Sequence, residues 1–165
     1  MMFKPQIHEA LKPLSFLIGK WKSISAKGAY PTINPFTYCE EVTFSSIGQP
    51  LLNYNSIAYN PNGPKPMHLE SGFLRIKAAG TNEVAFMVAH NFGLTSLEEG
   101  TVKGNEICLK SVQIARMTFA KDPAVIGIER CYSLIEEGKL QLILSMETEN
   151  IGLTEHLRVV YEKID

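Results

Sequence analysis

Ten short segments rich in β-branched and aromatic residues follow one another along almost the whole chain, and short turns separate them. These predicted strands are residues 20–26, 36–46, 51–59, 67–77, 83–90, 93–103, 106–114, 125–135, 139–148 and 153–163. The turns between them supply glycine or asparagine where the backbone reverses tightly, for example at residues 79–82, 103–105 and 137–139. Connections this short predict antiparallel neighbours, because a parallel pair needs a crossover of a dozen or more residues.

A meander of ten antiparallel strands hides its edges most readily by closing into a barrel. Apolar and polar residues alternate along residues 41–46 and, less strictly, along residues 140–144, as expected for a sheet that is buried on one face. A barrel wider than eight strands leaves a lumen with room for a ligand. Carboxylates and hydroxyls stand among the predicted inward positions, so we expect a partly wet lumen or a ligand with a polar edge.

The amino-terminal segment is the one part of the chain that favours a helix. Residues 9–18 suit a turn or two, which Pro13 shortens and Gly19 ends. A length of 165 residues with 45% hydrophobic residues is typical of a single globular domain. We therefore predict one all-β domain spanning residues 1–165, a ten-stranded antiparallel up-and-down (calycin-like) barrel with a short N-terminal helical turn.

The charge of the chain argues against nucleic acid and membrane partners. The net charge is −1, the sequence pI is about 6.4, and there is no block of lysine and arginine. The only apolar stretch near the amino terminus is interrupted by His8, Glu9 and Pro13, so it resembles neither a signal peptide nor a membrane span.

The cysteine pattern indicates the compartment. Cys39, Cys108 and Cys131 are an odd number of widely spaced cysteines, each within a predicted strand, so we expect free buried thiols. Free thiols are typical of a reducing compartment, and we expect the protein to be cytoplasmic or nuclear.

Four histidines are candidates for metal ligation, namely His8, His68, His90 and His156. None forms an H-x-H or H-x-x-x-H pair and no cysteine lies within four residues of any of them, so a structural zinc site is not predicted. We expect His8 to be exposed to solvent, and His68 and His90 to be hydrogen-bonded residues at strand ends rather than ligands. His156 lies in the last predicted strand, and its immediate surroundings do not single it out.

Hydrolytic chemistry finds no support in the sequence. The carboxylate pairs Glu40-Glu41 and Glu98-Glu99 cannot flank one scissile bond, because adjacent strand residues point to opposite faces. The chain contains neither a G-x-S-x-G nucleophile elbow nor a glycine-rich phosphate loop.

Several motifs together resemble the nitrobindin family of ferric-haem β-barrels. The amino-terminal ones are GKW at 19–21, AYPTINPF at 29–36 and YCEE at 38–41, and the carboxyl-terminal one is LTEHLR at 153–158. Further matches in family order are IGQP at 47–50, PMH at 66–68, ESGF at 70–73, EEG at 98–100, AR at 115–116 and AK at 120–121. The chain departs from the family's G-x-W-x-G-x-G signature, because Ser23 and Ser25 stand where the later glycines would be.

The resemblance implies a haem b cofactor in the ferric state, held near one open end of the barrel. It implies that His156 is the axial iron ligand and that Thr32, in a loop stiffened by Pro31 and Pro35, contacts the haem. It further implies that the protein binds nitric oxide and isomerises peroxynitrite to nitrate, so the expected partners are these small molecules. The sequence leaves open whether the chain forms a homodimer.

Two other functions remain open on the sequence. One is a cytosolic carrier of fatty acid or another lipid, in which an arginine inside the barrel would hold the carboxylate; the candidates are Arg75, Arg116, Arg130 and Arg158, although solvated arginines are commoner. The other is a sensor or interaction domain that reports the haem or nitric oxide state to a partner, since the resemblance includes animal proteins in which a nitrobindin domain follows a zinc-binding THAP domain.

Overall fold

The computed structural model of the protein describes residues 5–63 and 65–165. They form one 3-10 helix (Glu9–Leu17) and eleven strands. The strands are β1 (Gly19–Tyr30), β2 (Ile33–Thr37), β3 (Cys39–Ser46), β4 (Leu51–Tyr59), β5 (Pro66–Ile76), β6 (Glu83–His90), β7 (Leu94–Lys103), β8 (Glu106–Arg116), β9 (Val125–Glu136), β10 (Lys139–Thr148) and β11 (Thr154–Lys163). The helix that the described residues contain is too short to cross a membrane.

The strands form the predicted antiparallel meander. From β3 to β11 each strand pairs with the next along the chain, β1 pairs with β3, and β11 pairs back onto β1. The last pairing, for example Trp21 with Lys163, closes a ten-stranded barrel and leaves β2 as one extra strand. The predicted barrel is therefore confirmed, and closure removes the free edges of an open sheet.

The extra strand corrects two predicted boundaries. The predicted strand at residues 36–46 is two strands that break at Tyr38, and the predicted loop at 30–35 is a tight turn followed by the start of β2. The first strand extends to Tyr30 instead of ending at residue 26, which gives β2 an edge on which to pair, with Gly28 opposite Phe36. The tight turn consists of Pro31 and Thr32, and the fixed φ of proline favours such a reversal.

The 3-10 helix plugs one end of the barrel. Leu11, Leu14 and Leu17 are buried in the core, and the indole Nε1 of Trp21 donates a hydrogen bond to the Leu17 carbonyl oxygen at 2.8 Å. His8 is half-buried rather than exposed, and its Nδ1 accepts a hydrogen bond from the backbone N–H of Ala10 at the start of the helix. The opposite end of the barrel, away from the helix, is the end that contains a cavity.

Charged groups occupy the lumen, as the imperfect alternation suggested. The carboxylate pairs divide between faces as predicted, with Glu40 and Glu98 buried inside and their neighbours Glu41 and Glu99 outside. Among the four arginines, the expectation of a solvated side chain is wrong for Arg130, which is fully buried, and the other three are exposed.

The prediction of free buried thiols is wrong for two of the three cysteines. Cys108 on β8 and Cys131 on β9 face each other in register and form a disulfide on the outer surface of the barrel. Strand register brings them together although they lie 23 residues apart in the chain. Cys39 is a free, half-buried thiol. Because Cys108 and Cys131 are bonded, the cysteines no longer support the prediction of a reducing compartment.

Candidate functional site

The cavity lies at the barrel end opposite the helix and has a volume of about 230 Å³. Its walls come from the first residues of β3, β5, β9 and β11 and the last residues of β4, β6 and β10. Most of the lining is apolar, and polar groups are gathered on a few strands. The apolar residues include Phe36, Ala58, Val125, Leu144, Met146 and Leu157.

His156 lies on this wall at the third residue of β11. Its Nδ1 lies 3.0 Å from the carbonyl oxygen of Ala29 on β1. Because a carbonyl oxygen only accepts, Nδ1 carries the proton of a neutral ring and Nε2 carries the lone pair. The rings of Tyr30 and Phe36 pack edge-on against the imidazole, with centroids 5.3 Å and 6.3 Å away.

The protonation state of His156 suits a ligand. Burial lowers its pKa, the hydrogen bond to Ala29 partly opposes that shift, and His68 lowers the pKa a little further. A lowered pKa keeps the imidazole neutral near pH 7, and the neutral imidazole is the form that binds metals. The ring therefore presents one unprotonated nitrogen, Nε2, to a ligand.

Thr32 is placed differently from His156. It lies in the exposed turn between β1 and β2 and is not part of the cavity lining. The structure thus brings His156, but not Thr32, to the cavity. Of the residues flanking this turn, Phe36 lines the cavity and Tyr30 donates a hydrogen bond from its hydroxyl to the Met146 carbonyl oxygen at 3.1 Å. The contact of Thr32 with haem stays a prediction.

The polar part of the cavity wall lies across the barrel, on β5 and β6. His68 Nε2 is 3.3 Å from His90 Nδ1 and 3.3 Å from Glu70 Oε2. His90 is the last residue of β6 and, like His68, is hydrogen-bonded near a strand end, as the sequence predicted. The sequence did not predict that the two imidazoles converge on a carboxylate.

A local signal for this cluster was present in the sequence. Residues i and i+2 of a strand share a face, so the His68-x-Glu70 spacing places both side chains in the lumen. Only the strand register identifies His90 as their partner, because Glu70 pairs directly with His90 between β5 and β6. A search for H-x-H or H-x-x-x-H spacings does not detect a site that is divided between two strands in this way.

Arg130 holds two carboxylates in the lumen. Its Nε and Nη2 donate to the two carboxylate oxygens of Glu98 at 2.7 Å and 3.0 Å, and its Nη1 donates to Glu70 Oε1 at 3.1 Å. Burial alone would raise the pKa of Glu70, but Arg130 and the hydrogen bond from His68 together hold that pKa well below its usual range. Glu70 is therefore a buried carboxylate anion.

The hydrogen-bond network continues from Arg130 through Glu98 and Ser96 to His90. Ser96 Oγ donates to Glu98 Oε2 at 2.8 Å and lies 3.0 Å from His90 Nε2. Burial lowers the pKa of His90 to about 4, and the opposing effect of the Glu70 carboxylate does not cancel this shift. His90 is thus a neutral imidazole at physiological pH.

A second carboxyl group in the cavity wall is largely satisfied. Ser56 and Tyr161 both donate hydrogen bonds to Glu40. Burial raises the pKa of Glu40 above its usual value despite these two donors. Beside it, the buried hydroxyl of Tyr38 has no hydrogen-bond partner among the described residues, so the wall retains a donor that a ligand can use.

The cavity has the features of a haem site, with one oriented imidazole in a mostly apolar wall. One fixed imidazole nitrogen and mostly apolar walls fit haem, which takes an axial histidine and an apolar environment for its ring. The hydroxyl of Tyr38 and the polar cluster on β5 and β6 supply the polar contacts that the lumen was expected to contain.

Comparisons with known proteins agree with this geometry. A family model described as a THAP4-like, heme-binding beta-barrel domain matches residues 10–163. The chain is 45% identical over 161 residues to peroxynitrite isomerase THAP4 of Homo sapiens, and the aligned region covers 97% of this chain and 28% of that protein. It is 34% identical to peroxynitrite isomerase Rv2717c of Arabidopsis thaliana, over 97% of the chain and 92% of that protein.

The fold comparison gives the same family. The crystal structure of Rv2717c from M. tuberculosis superposes with a TM-score of 0.86 at 33% sequence identity, covering 97% of this chain and all of that one. The chain spans little more than a quarter of the length of the mammalian THAP4 proteins and nearly the full length of the plant protein.

Proposed function

The chain belongs to the family of THAP4-like, heme-binding β-barrel domains, and we propose that it binds ferric haem b through His156 and isomerises peroxynitrite to nitrate. Its membership confirms the resemblance to nitrobindins. The observation that carries the proposal is the position of His156, whose Nδ1 is bound to Ala29 and whose Nε2 remains for iron at the cavity wall. Relatives named peroxynitrite isomerase in animals, plants and bacteria support the activity.

The residues around the cavity define what the chain contributes. His156 would bind the haem iron through Nε2. The Ala29 carbonyl oxygen fixes the ring tautomer and raises the basicity of Nε2. Tyr30 and Phe36 restrict rotation of the imidazole, and the apolar walls exclude water and competing ligands. Bound ferric haem would supply a Lewis-acidic iron with one open position for peroxynitrite or nitric oxide.

Turnover per haem tests the proposal. Protein reconstituted with ferric haem should convert many equivalents of peroxynitrite to nitrate and protect free tyrosine from nitration, and the haem-free protein should do neither. The Cys39→Ser variant controls for oxidation of the free thiol, because a thiolate is consumed once per reaction. If the variant loses multiple turnover while its Soret band is intact, thiol chemistry carries the activity and the proposal fails.

The hypothesis of a lipid carrier needs an arginine that is free to bind a fatty acid carboxylate, and Arg130 is already paired. Arg130 is the arginine inside the barrel, and three of its nitrogens already donate to Glu98 and Glu70. A fatty acid carboxylate would have to displace one of these buried ion pairs, and breaking such a pair is strongly destabilising. Displacement of a fluorescent fatty acid without a change in the Soret region would favour the carrier over the haem protein.

A further inference from the structure

The three polar side chains on β5 and β6 have the spacing of a metal site. His68 Nε2 lies 3.3 Å from His90 Nδ1 and 3.3 Å from Glu70 Oε2, and the ligand atoms of all three residues lie within 4.8 Å of one another. Two ligands on a tetrahedral ion with bonds of about 2.0–2.1 Å are separated by roughly 3.3 Å. Hydrogen bonds to nitrogen donors are usually shorter, at about 2.7–3.2 Å. Two of the three pairs therefore have the spacing of ligands around one ion as well as that of long hydrogen bonds, and the third pair, His90 Nδ1 and Glu70 Oε1, is 3.8 Å apart.

The surrounding hydrogen bonds point lone pairs into the centre of this cluster. Because Ser96 Oγ donates to Glu98, it accepts the proton of His90 Nε2, and the neutral ring then carries its lone pair on Nδ1. Glu70 Oε1 accepts from Arg130, which leaves Oε2 for the cluster. Without a cation, a single proton on His68 Nε2 has to serve two acceptors at equal distance.

The charges of the lumen leave a place for a cation. Arg130 is the guanidinium shared by the buried carboxylates of Glu98 and Glu70, and Glu98 takes two of its donors. Two anions against one cation leave one negative charge uncompensated at Glu70, beside two imidazoles. An uncompensated buried charge is strongly unfavourable, so a positive ion at this position is stabilised.

The backbone holds the ligands rigidly. His68 and Glu70 lie on one face of β5, and Glu70 and His90 are paired residues of the β5–β6 ladder. The Ser96 and Glu98 side chains behind His90 form the kind of outer hydrogen-bond chain that orients a metal-binding histidine. All three ligand residues line the cavity, so a ligand position on the ion stays open to molecules inside it.

We propose that His68, Glu70 and His90 bind a divalent transition-metal ion, with Zn²⁺ as the preferred candidate and the fourth position open to water or a small anion. Two histidines and one carboxylate with an open position are a common ligand set for Zn²⁺. Its ligands differ from the proposed haem ligand, because His156 lies on the opposite wall of the same cavity, five strands away from β6 around the ten-stranded barrel. Metal binding can therefore be measured in the haem-free protein.

Titration of the haem-free protein with Zn²⁺ tests the site. Calorimetry should show one Zn²⁺ per chain, and Co²⁺ should give the intense visible absorption of a tetrahedral ion. His68→Ala should weaken Zn²⁺ binding by about 100-fold, and Ser96→Ala, which removes the outer partner of His90, by about 10-fold. His68 is partly exposed, so its replacement is compatible with folding.

Two matched controls separate this site from other histidines. His8→Ala removes the histidine at the helix start, and His156→Ala removes the proposed haem ligand, and both variants should bind Zn²⁺ as the unchanged protein does. The proposal is overturned if the unchanged protein takes up no Zn²⁺, or if His68→Ala and Ser96→Ala leave the Zn²⁺ affinity unaltered. Because Zn²⁺ binding is measured without haem, failure of this site and failure of the proposed isomerase activity are distinguishable.

Discussion

His156 donates its Nδ1 proton to the carbonyl oxygen of Ala29, 3.0 Å away across the β1–β11 pairing that closes the barrel. The two residues are 127 positions apart in the chain. A single hydrogen bond therefore couples closure of the barrel to the tautomer of the proposed iron ligand. Any change that separates β1 from β11 at this point should also release the imidazole from its orientation.

Replacing the proposed ligand tests its role directly. His156→Ala should abolish the five-coordinate ferric spectrum and lower haem affinity, because we propose that its imidazole is the protein ligand of the iron. His8→Ala, His68→Ala and His90→Ala should keep that spectrum. Circular dichroism of haem-free His156→Ala should match the unchanged protein, since the half-buried ring is a small part of the core. An unchanged Soret band in His156→Ala would contradict the assignment.

For Thr32 the family resemblance and the structure give different expectations. The resemblance implies a contact with haem, but Thr32 does not line the cavity. If the resemblance carries over, Thr32→Ala should weaken haem affinity by several-fold through loss of one contact of about 1 kcal/mol. Thr101→Ala is a suitable control, because Thr101 is also exposed but lies on β7 away from the cavity. Equal haem affinities of the two variants, measured by hemin titration, would mean that the exposed turn takes no part in binding.

The buried carboxyl of Glu40 should make stability depend on pH. Burial raises its pKa in the folded protein above the unfolded value, so the folded state retains a proton that the unfolded state releases. Stability from this group is present at low pH and falls as pH rises through the folded pKa. Glu40→Gln cannot ionise, so its Tm relative to the unchanged protein should rise as the pH is raised above the ordinary pKa of a glutamate.

The neighbouring residue provides the control for this experiment. Glu41 is exposed on the outer face of the same strand, so the Tm difference of Glu41→Gln from the unchanged protein should stay constant over this pH range. A Tm difference for Glu40→Gln that falls with pH would show that Ser56 and Tyr161 stabilise the anion more than burial destabilises it.

Gly100 permits close approach of two strands. A Cβ at this position would lie 1.8 Å from the Cys108 carbonyl oxygen on β8, a backbone atom that cannot rotate away. Gly100→Ala should therefore lower the free energy of unfolding by about 1–3 kcal/mol. Gly152→Ala is the control, because no atom lies within 4 Å of its added Cβ, and its effect should stay within about 0.5 kcal/mol. Chemical denaturation of both variants measures the difference, and equal midpoints would contradict the close contact.

Much of the fold could be predicted because hairpins are local. Turn glycines and strand periodicity lie within a few residues of each other, and they predicted ten of the strands and their antiparallel order. The error at β2 has a different origin. β2 begins two residues after Pro31 and contains Pro35, so it forms only because β1 extends to Tyr30 and offers an edge for pairing. Local strand propensity does not predict that edge.

The candidate site likewise has features that the sequence predicted and features that only the tertiary structure decided. The sequence alone determined the meander and the presence of one amino-terminal helical segment, although the 3-10 helix continues past Pro13 to Leu17, and by resemblance it led to the proposal of His156 among four histidines. Only the tertiary structure brought Ala29 to His156, His90 to Glu70, Arg130 to two carboxylates and Cys108 to Cys131. Turn chemistry and side-chain alternation act over a few neighbouring residues, whereas the meeting of two distant side chains depends on the register summed around a closed barrel.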